Sequence, residues 1–402
     1  MNYMRFLIIV GAMVLLCGCS RSGTLSIERE DLAVFEIGVF EDELDLFNLE
    51  GRGILKKTEL TMRDGQFFIV NGVSGKVVRY NSYGDLLFMI YNEETNPRLL
   101  NLKQKTEGAA ETRWAHAWAL QEPSYIAVDS QKKIFVVDKL PPERHSLDTT
   151  EKAILDSIVL CFDETGRFIE YLGQEGPGST PFARVEGLWT SQDDSIVVAS
   201  RFSKGIRVYC FDSSGSHRTT LQFDNERLPI PEEKQGVIMT VESITVAPDM
   251  PLLYLKINYY RRIIDTAVNA SAGVEVDSSW LWVVDMESGE YIRHIEIPFY
   301  ESLITENNKK TSEQLVYSLF GAANGEKLFF YVPVEEGYAI MILQADETLK
   351  QRRGTIKVNP DELEYITFNV SADGVLSALL ANNFNVRLVW WRTDKLAREM
   401  GS

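Results

Sequence analysis

The stretch Ile158-Val159-Leu160-Cys161-Phe162-Asp163-Glu164-Thr165-Gly166 recurs in altered form along this 402-residue chain. In each copy an apolar run ends in Asp or Asn, and Gly usually follows three or four residues later. The Asp or Asn side chain caps a tight turn, and Gly accepts the positive φ that closes it. The copies end at Asn81, Asp163, Asp212, Asp285, Asp346 and Asp394, and the last two lack the glycine. The pattern predicts six strand–turn–strand units.

A second turn signal precedes each of these units and is followed by a run rich in β-branched and aromatic residues, as is typical of strands. The six signals are Asp64-Gly65, Asp129-Ser130, Asp193-Asp194, Pro248-Asp249, Asn324-Gly325 and Asp373-Gly374. Each unit then holds four strands, and hardly any stretch has helical periodicity. Successive units lie 48 to 82 residues apart. We therefore predict an all-β chain that forms a six-bladed β-propeller with four-stranded antiparallel blades and insertions of unequal length.

Residues 120–215 resemble the NHL repeat. The stretch Pro123-Ser124-Tyr125-Ile126-Ala127-Val128-Asp129 is similar to that repeat, and so is Leu172-Gly173-Gln174-Glu175-Gly176-Pro177-Gly178 ahead of the next unit. The repeat usually has a proline where Val185 or Glu186 stands, and WD40 signatures are missing. The resemblance implies an NHL-like propeller. A pair of β-sandwiches, the alternative fold, would make the six repeats accidental.

The two ends of the chain predict how the ring closes. An open ring would leave two sheet edges exposed, which invites aggregation. Residues 31–47 have the composition of a strand ahead of the first unit, and the apolar run 386–391 ends the last unit. We expect the N-terminal strand to complete the last blade. The predicted organisation is a single propeller domain over residues 31–398, preceded by a tether over residues 19–30.

The first eighteen residues have the features of a signal peptide: a positive Arg5, an apolar run over residues 6–16 and an exit of small residues. The exit Leu16-Cys17-Gly18-Cys19 resembles the bacterial lipobox. The resemblance implies cleavage before Cys19, lipidation of that cysteine, and a membrane anchor in the bacterial cell envelope. The alternative, a transmembrane anchor, would need about 20 apolar residues, more than this segment offers.

Charge and cysteine content restrict the partners and the chemistry. The chain has 41 basic and 58 acidic side chains, a formal net charge of −17. An acidic excess argues against nucleic acid and anionic lipid head groups as partners, because both repel it. Cys161 and Cys210 lie in strand-like apolar runs, so we expect two buried thiols rather than a disulfide.

Four insertions interrupt the regular units, at residues 92–111, 139–152, 224–236 and 264–277. Long loops in compact domains are usually functional or disordered. The charged runs 103–111 and 306–310 are expected to be solvated. The aromatic clusters 114–118 and 259–262 are expected to pack between blades, although Trp, Tyr and Arg also form binding hot spots.

The sequence assigns no catalytic, cofactor-binding or metal-ligating residue. Four single histidines lack the spacing of a zinc site: His116, His145, His217 and His294. We expect a non-enzymatic scaffold without a cofactor, which binds another envelope protein or peptide through loops on one face, for example in envelope assembly. The alternative is a periplasmic propeller enzyme of the lactonase or other hydrolase type. Its channel metal, such as calcium, would be held by carboxylates that lie far apart in sequence.

Overall fold

The computed structural model describes residues 25–46, 56–104, 113–232, 234, 236–265, 270–306 and 309–400. The predicted signal peptide (residues 1–18) and the predicted lipidation site Cys19 lie outside the described residues. Within these ranges no helix is long and apolar enough to cross a membrane.

The strands form six main sheets, called blades 1–6. Two strands precede them: β1 (Leu25–Ile27) and β2 (Arg29–Glu36). Blade 1 comprises β3 (Thr58–Arg63), β4 (Gln66–Asn71), β5 (Lys76–Tyr80), β6 (Leu86–Tyr91), β7 (Lys103–Gln104) and β8 (Trp114–Ala117). Blade 2 with an inserted hairpin comprises β9 (Ile126–Val128), β10 (Ile134–Lys139), β11 (Ser146–Asp148), β12 (Ala153–Leu155), β13 (Ser157–Phe162), β14 (Phe168–Gly173) and β15 (Gly176–Pro177). Blade 3 comprises β16 (Arg184–Thr190), β17 (Ile196–Phe202), β18 (Gly205–Phe211) and β19 (His217–Asp224).

The second half of the chain follows the same order. Blade 4 and the hairpin after it comprise β20 (Ile238–Val246), β21 (Leu252–Asp265), β22 (Ala270–Asp285), β23 (Tyr291–Ile297), β24 (Tyr300–Glu306) and β25 (Lys309–Leu315). Blade 5 comprises β26 (Ser318–Ala323), β27 (Lys327–Val334), β28 (Gly337–Gln344) and β29 (Gln351–Lys357). Blade 6 comprises β30 (Tyr365–Val370), β31 (Leu376–Ala381) and β32 (Asn385–Trp391), and the helix α1 (Thr393–Arg398) follows it. Short 3-10 turns lie at Pro142–Arg144, Asn225–Arg227 and Pro360–Glu362.

The six blades form a closed ring. The first strand of each blade contacts the first strand of the next blade, and β30 of blade 6 contacts β3 of blade 1. Each blade has a core of four strands that pair in antiparallel order. In blade 2 these are β9, β10, β13 and β14, and in blade 6 they are β30, β31, β32 and the N-terminal strand β2. The predicted all-β, six-bladed propeller is confirmed.

The N-terminal strand completes the last blade, as predicted. Strand β2 pairs with β32 from Arg29↔Trp391 to Glu36↔Asn385. It is shorter than the predicted segment 31–47, because the chain turns away after Glu36 and residues 37–46 lead across to blade 1. Strand β1 also pairs, parallel to β29. Residues 25–30, which the sequence analysis assigned to a tether, therefore lie largely in strands, and the propeller begins before Asp31.

Six large apolar clusters, one between each pair of neighbouring blades, form the main core, and a seventh small cluster holds Leu155, Ala183 and Phe202. Side chains alternate between the two faces of a strand, so each inner strand serves two clusters. In β13, Ile158 and Leu160 pack towards blade 1, whereas Val159 and Cys161 pack towards blade 3. A strand that is buried on both faces has a continuous apolar run in its sequence, as residues 158–162 do.

The predicted turn signals lie at one end of the blades, called the turn face. Both the turn after the first strand and the turn after the third strand of an antiparallel blade fall there. Asp163 shows the predicted capping: its Oδ1 accepts hydrogen bonds from the backbone N–H of Thr165 at 2.8 Å and of Arg167 at 3.0 Å, and Gly166 has φ +83°. The opposite end of the blades is called the loop face.

The sixth copy of this motif, ending at Asp394, is not a hairpin turn, and that prediction is wrong. Blade 6 takes its fourth strand, β2, from the N-terminal part of the chain, and no strand follows Trp391 among the residues that the structure describes. Instead Asp394 lies buried in α1 and pairs with Arg392 at 2.9 Å and Arg398 at 2.9 Å.

Cys161 and Cys210 are free and buried, as predicted. They belong to different clusters, Cys161 between blades 2 and 3 and Cys210 between blades 3 and 4. Burial raises the pKa of the Cys210 thiol to about 11 and raises that of Cys161 further. Neither thiol is therefore a ready nucleophile at neutral pH.

Candidate functional site

The described ends of all four predicted insertions leave their blades at the loop face. Residues 105–111, 233, 235 and 266–269 of these insertions lie outside the described residues. The first, residues 92–111, follows β6, the fourth strand of blade 1, and residues 224–236 connect blade 3 to blade 4. The others, residues 139–152 and 264–277, lie between the second and third strands of blades 2 and 4. Both kinds of connection leave the same end of an antiparallel blade. Strand order alone therefore brings together segments that are far apart in sequence.

Two of these insertions are hairpins rather than the predicted loops. Residues Ser146–Asp148 pair with Ala153–Leu155, and β21 and β22 extend as a long arm, with Arg261 opposite Glu275. The ion pair between these two side chains spans 2.5 Å, and Lys234 reaches Asp277 on the same arm at 2.7 Å. Cross-strand pairs of opposite charge stabilise such hairpins and also make their sequences read as polar loops.

A third hairpin, β24–β25, also stands on the loop face, between blades 4 and 5. From the sequence, only the charged run 306–310 in this interval is predicted, as a solvated segment, and residues 307–308 of that run lie outside the described residues. The signal that could have revealed it is the length of the interval between Ile297 and Ser318, which is too long for a simple blade connection.

Exposed apolar side chains are concentrated on the loop face. Of the sixteen large hydrophobic side chains that are exposed among the described residues, ten lie there. They are Phe40, Leu100, Leu147, Ile154, Ile230, Ile238, Ile263, Ile264, Val274 and Phe384. The turn face has two, Tyr83 and Leu349, and the remaining four are on the outer strands. The loop face therefore carries more exposed apolar side chains than the turn face, and contiguous groups of such side chains are typical of interaction surfaces.

Several of these exposed apolar side chains lie on the two hairpins. Leu147 and Ile154 lie directly opposite each other on β11 and β12 and are 63% and 61% exposed. On the long arm, Val274 of β22 lies opposite Arg262 of β21. Ile264 follows two residues after Arg262, on the same side of β21. Both hairpins therefore present apolar side chains to solvent at the loop face.

The loop face is acidic where blades 5, 6 and 1 meet. Residues 335–336, 358–364 and 37–46 carry nine acidic side chains and no basic one. Phe384, 82% exposed, lies beside this region, since Asn383 Nδ2 donates a hydrogen bond to Glu364 Oε1 at 3.2 Å. Lys76 contacts the same region: it is buried, and its Nζ donates a hydrogen bond to the Phe40 carbonyl at 2.6 Å.

The first strands of the six blades enclose a central channel with a cavity of about 420 Å³. Lys57 Nζ lies 2.6 Å from Glu59 Oε1 and 3.7 Å from the centre of the Tyr125 ring. Glu186 pairs with Arg201 at 2.6 Å. Burial raises the pKa of Glu59, and the Lys57 ammonium opposes that shift. Both of these carboxylates are thus paired with a neighbouring cation.

The described residues contain no group of three or more His, Cys, Asp or Glu side chains that could hold a metal ion. The four histidines lie on separate elements: His116 on β8, His145 after the turn Pro142–Arg144, His217 on β19 and His294 on β23. His294 packs against the rings of Trp280 and Trp282, at 5.4 and 4.7 Å between ring centres. The aromatic cluster at residues 114–118 packs between blades 1 and 2, as expected, with Trp118 stacked on Phe168 at 4.0 Å.

No protein-family model matches this sequence, and no curated protein sequence matches it. Among solved structures, the β-propeller domain of the Trilobed protease from Pyrococcus furiosus is 10% identical, with a TM-score of 0.37 over 85% of this chain and 95% of that chain. Regucalcin, a calcium-binding protein from Agrobacterium tumefaciens, is 11% identical, with a TM-score of 0.40 over 92% and 96% of the two chains. The WD40 repeats of RRP9 are 10% identical, with a TM-score of 0.41 over 90% and 100%. These similarities concern the propeller fold alone.

Proposed function

We propose that this protein is a lipid-anchored component of the bacterial cell envelope that binds a partner protein or peptide through its loop face, without catalysis. The observation that carries the proposal is the concentration of exposed apolar side chains on that face, above all the directly opposed Leu147 and Ile154. The anchor rests on the sequence at Cys19.

A rigid ring suits this role. The hairpins and loops are held in fixed relative positions by blades whose interfaces are packed, so docking a partner costs little conformational entropy. The exposed apolar groups supply the favourable desolvation, and the acidic region around Phe384 favours a partner with complementary positive charge.

The alternative function, a hydrolase with a channel metal, needs three or four oxygen ligands that converge at one channel mouth. The described channel residues instead pair carboxylates with Lys57 and Arg201. No observation among the described residues favours this alternative over binding.

Site-specific photocrosslinking in the native envelope tests the proposal. A benzophenone amino acid replaces Leu147 or Phe384 on the loop face, and the matched control replaces Tyr83, which is 86% exposed on the turn face. We expect the same discrete crosslinked partner from both loop-face positions and none from the Tyr83 position. A partner captured equally from Tyr83, or turnover of a lactone or ester that a chelator abolishes, would contradict the proposal.

The anchor is tested in the same cells. Cys19→Ala should abolish the incorporation of labelled fatty acid and leave an unprocessed precursor. Labelling that persists in this variant would refute the anchor without touching the binding proposal.

A further inference from the structure

A row of polar side chains on blade 1 lines the central channel. In a strand every second side chain points to the same side. Glu59, Thr61 and Arg63 of β3 therefore form one row, and all three line the cavity of about 420 Å³. Volumes of about 300 to 1,000 Å³ are typical of small-molecule sites. The cavity is therefore in the size range of a ligand site, and this row is its polar wall.

Arg63 is an unpaired cation at the end of this row. It is the last residue of β3, at the turn-face end of the channel, and it is half-buried. Lys57, just before β3, is held by Glu59 at 2.6 Å. Arg63, in contrast, makes no ion pair and no side-chain hydrogen bond with the residues that the structure describes. The five N–H groups of its guanidinium are thus available to an acceptor in the cavity.

Two further side chains of the cavity have free hydrogen-bonding groups. Asn369 of blade 6 accepts the Met62 N–H through Oδ1 at 3.2 Å, so its amide lies beside the strand that carries Arg63. The Asn369 Nδ2 and the Thr61 hydroxyl have no hydrogen-bond partner within the described part of the chain. Both side chains are half-buried and line the cavity, so a ligand can reach them. This end of the channel is therefore rich in unused donors, which suit oxygen acceptors.

The carboxylates near the channel do not occupy these donors. Glu59 and Glu186 are the acidic side chains that line the cavity, and each is paired with another cation. Asp64 and Asp373, in turns at this end of the molecule, are exposed, so salt screens their repulsion of an anion. A direct charge-assisted hydrogen bond to Arg63 is stronger than such a screened repulsion. The local chemistry at Arg63 therefore favours an anionic group.

The wall of the cavity on blades 5 and 6 is aromatic. Phe320 and Phe368 line it, with 5.6 Å between their ring centres, and both are half-buried. Phe368 directly precedes Asn369 on β30, so the aromatic wall adjoins the free donors. Flat apolar groups pack well against such rings. The cavity thus combines an accessible cation with an apolar wall.

We infer that the channel binds a small organic anion, a carboxylate attached to a flat apolar body. The carboxylate accepts hydrogen bonds from the Arg63 guanidinium, whose planar fork fits two carboxylate oxygens, and Asn369 and Thr61 add donors. The apolar body lies against Phe320 and Phe368. An organic cation is disfavoured because Arg63 repels it and both carboxylates that line the cavity already have cationic partners.

The test uses the whole mature chain with ¹³C-labelled methionine methyl groups. Met62 lines the cavity, and its signal is assigned through Met62→Leu. The probes share one ring and differ in charge: benzoate, neutral benzyl alcohol and benzylammonium. We expect a saturable shift of the Met62 signal with benzoate, and binding about tenfold weaker or less for the other two probes by calorimetry. Equal binding of benzyl alcohol, tighter binding of benzylammonium, or an unmoved Met62 signal would overturn the inference.

Two variants connect the binding to Arg63. Arg63→Gln keeps a polar side chain without the charge and should weaken benzoate binding about tenfold, with little effect on benzyl alcohol. Arg63→Lys keeps the charge without the planar fork and should weaken benzoate binding less. Arg353→Gln, on the exposed part of the outer strand β29, is the matched control and should bind like the parent. Unchanged benzoate binding in Arg63→Gln would overturn the assignment. Because the crosslinking positions lie on other elements, partner binding at the loop face can fail without affecting this result.

Discussion

At the scale of single residues, Lys76 is the side chain least suited to its surroundings. It is fully buried, and its ammonium donates to the carbonyl of Phe40 at 2.6 Å. Burial lowers the pKa of Lys76 to about 8, although Glu43, Asp45, Asp42 and Glu41 oppose the shift. The lysine holds the connection between blades 6 and 1 against the ring, at the cost of desolvating its own charge.

Lys76 predicts a dependence of stability on pH. The pKa is near 8 in the folded protein and 10.5 in the unfolded chain, so above pH 8 the unfolded chain binds more protons than the folded one. The free energy of unfolding should therefore rise between pH 7.5 and 9.5, by about 2 kcal/mol from this residue. Urea unfolding at the two pH values measures the effect.

The control for this prediction is Lys76→Met, which removes the titrating group. Its free energy of unfolding should lack the part of the pH dependence that the parent owes to Lys76. If the parent and this variant respond equally to pH over this window, the shifted lysine is not the cause.

At the scale of elements, the sequence predicted those features that depend on local backbone geometry. Turns such as Asp163 to Gly166 could be recognised because capping and positive φ are demands of a few consecutive residues. The additional strands β1 and β8 could not, because their parallel pairing depends on residues far away in sequence. A groove of about 680 Å³ on the turn face between blades 3 and 4 was missed for the same reason: its lining comes from turns that lie about sixty residues apart.

The hairpin β11–β12 carries buried side chains as well as exposed ones. Deleting residues 139–152 would be a natural test of a loop, but it would remove the buried Glu151, whose Oε1 pairs with Arg207 at 2.7 Å. Leu155 on the same hairpin is buried against Ala183 and Phe202. The hairpin is thus anchored to blade 3 on one side and exposed on the other.

Substitutions on the two sides of this hairpin should have opposite consequences. Leu147→Thr combined with Ile154→Thr alters only exposed positions and should change the free energy of unfolding by less than about 0.5 kcal/mol. Leu155→Ala should cost about 2 to 3 kcal/mol, because it leaves a cavity in a small cluster. Chemical denaturation measures both. A double variant as unstable as Leu155→Ala would show that the exposed pair belongs to the core.

At the scale of the whole molecule, hydrogen bonds between neighbouring blades contribute to the closure of the ring. On the turn face, Ser130 N–H donates to Asp194 at 2.7 Å between blades 2 and 3, and Asn324 N–H donates to the Ala372 carbonyl at 2.8 Å between blades 5 and 6. The junction of blades 6 and 1 has the Met62 N–H on Asn369 Oδ1 at 3.2 Å. Several of the Asp and Asn residues that signal turns in the sequence thus also connect neighbouring blades.

The N-terminal strand is the remaining element of closure, and its removal should be far more damaging than its length suggests. Three shortened chains test this. A chain that begins at residue 25 keeps both N-terminal strands, one that begins at residue 29 lacks β1, and one that begins at residue 37 lacks β1 and β2. We expect the chain from residue 25 to melt like the mature protein and the chain from residue 29 to melt at a somewhat lower temperature. The chain from residue 37 leaves the edge of β32 bare along seven paired residues of β2 and should aggregate or lose cooperative unfolding.

A synthetic peptide of residues 25–37 separates loss of this strand from general misfolding. Added to the chain from residue 37, it should restore a monomeric, cooperatively melting protein, because the missing strand pairs through its backbone and through the buried Phe35. Size-exclusion chromatography and calorimetry report the two properties. The same peptide with Phe35→Asp is the control and should fail, since a carboxylate cannot replace the ring that packs on Tyr80 at 4.7 Å. A chain from residue 37 that is soluble and melts at the parental temperature without any peptide would show that the ring does not need this strand.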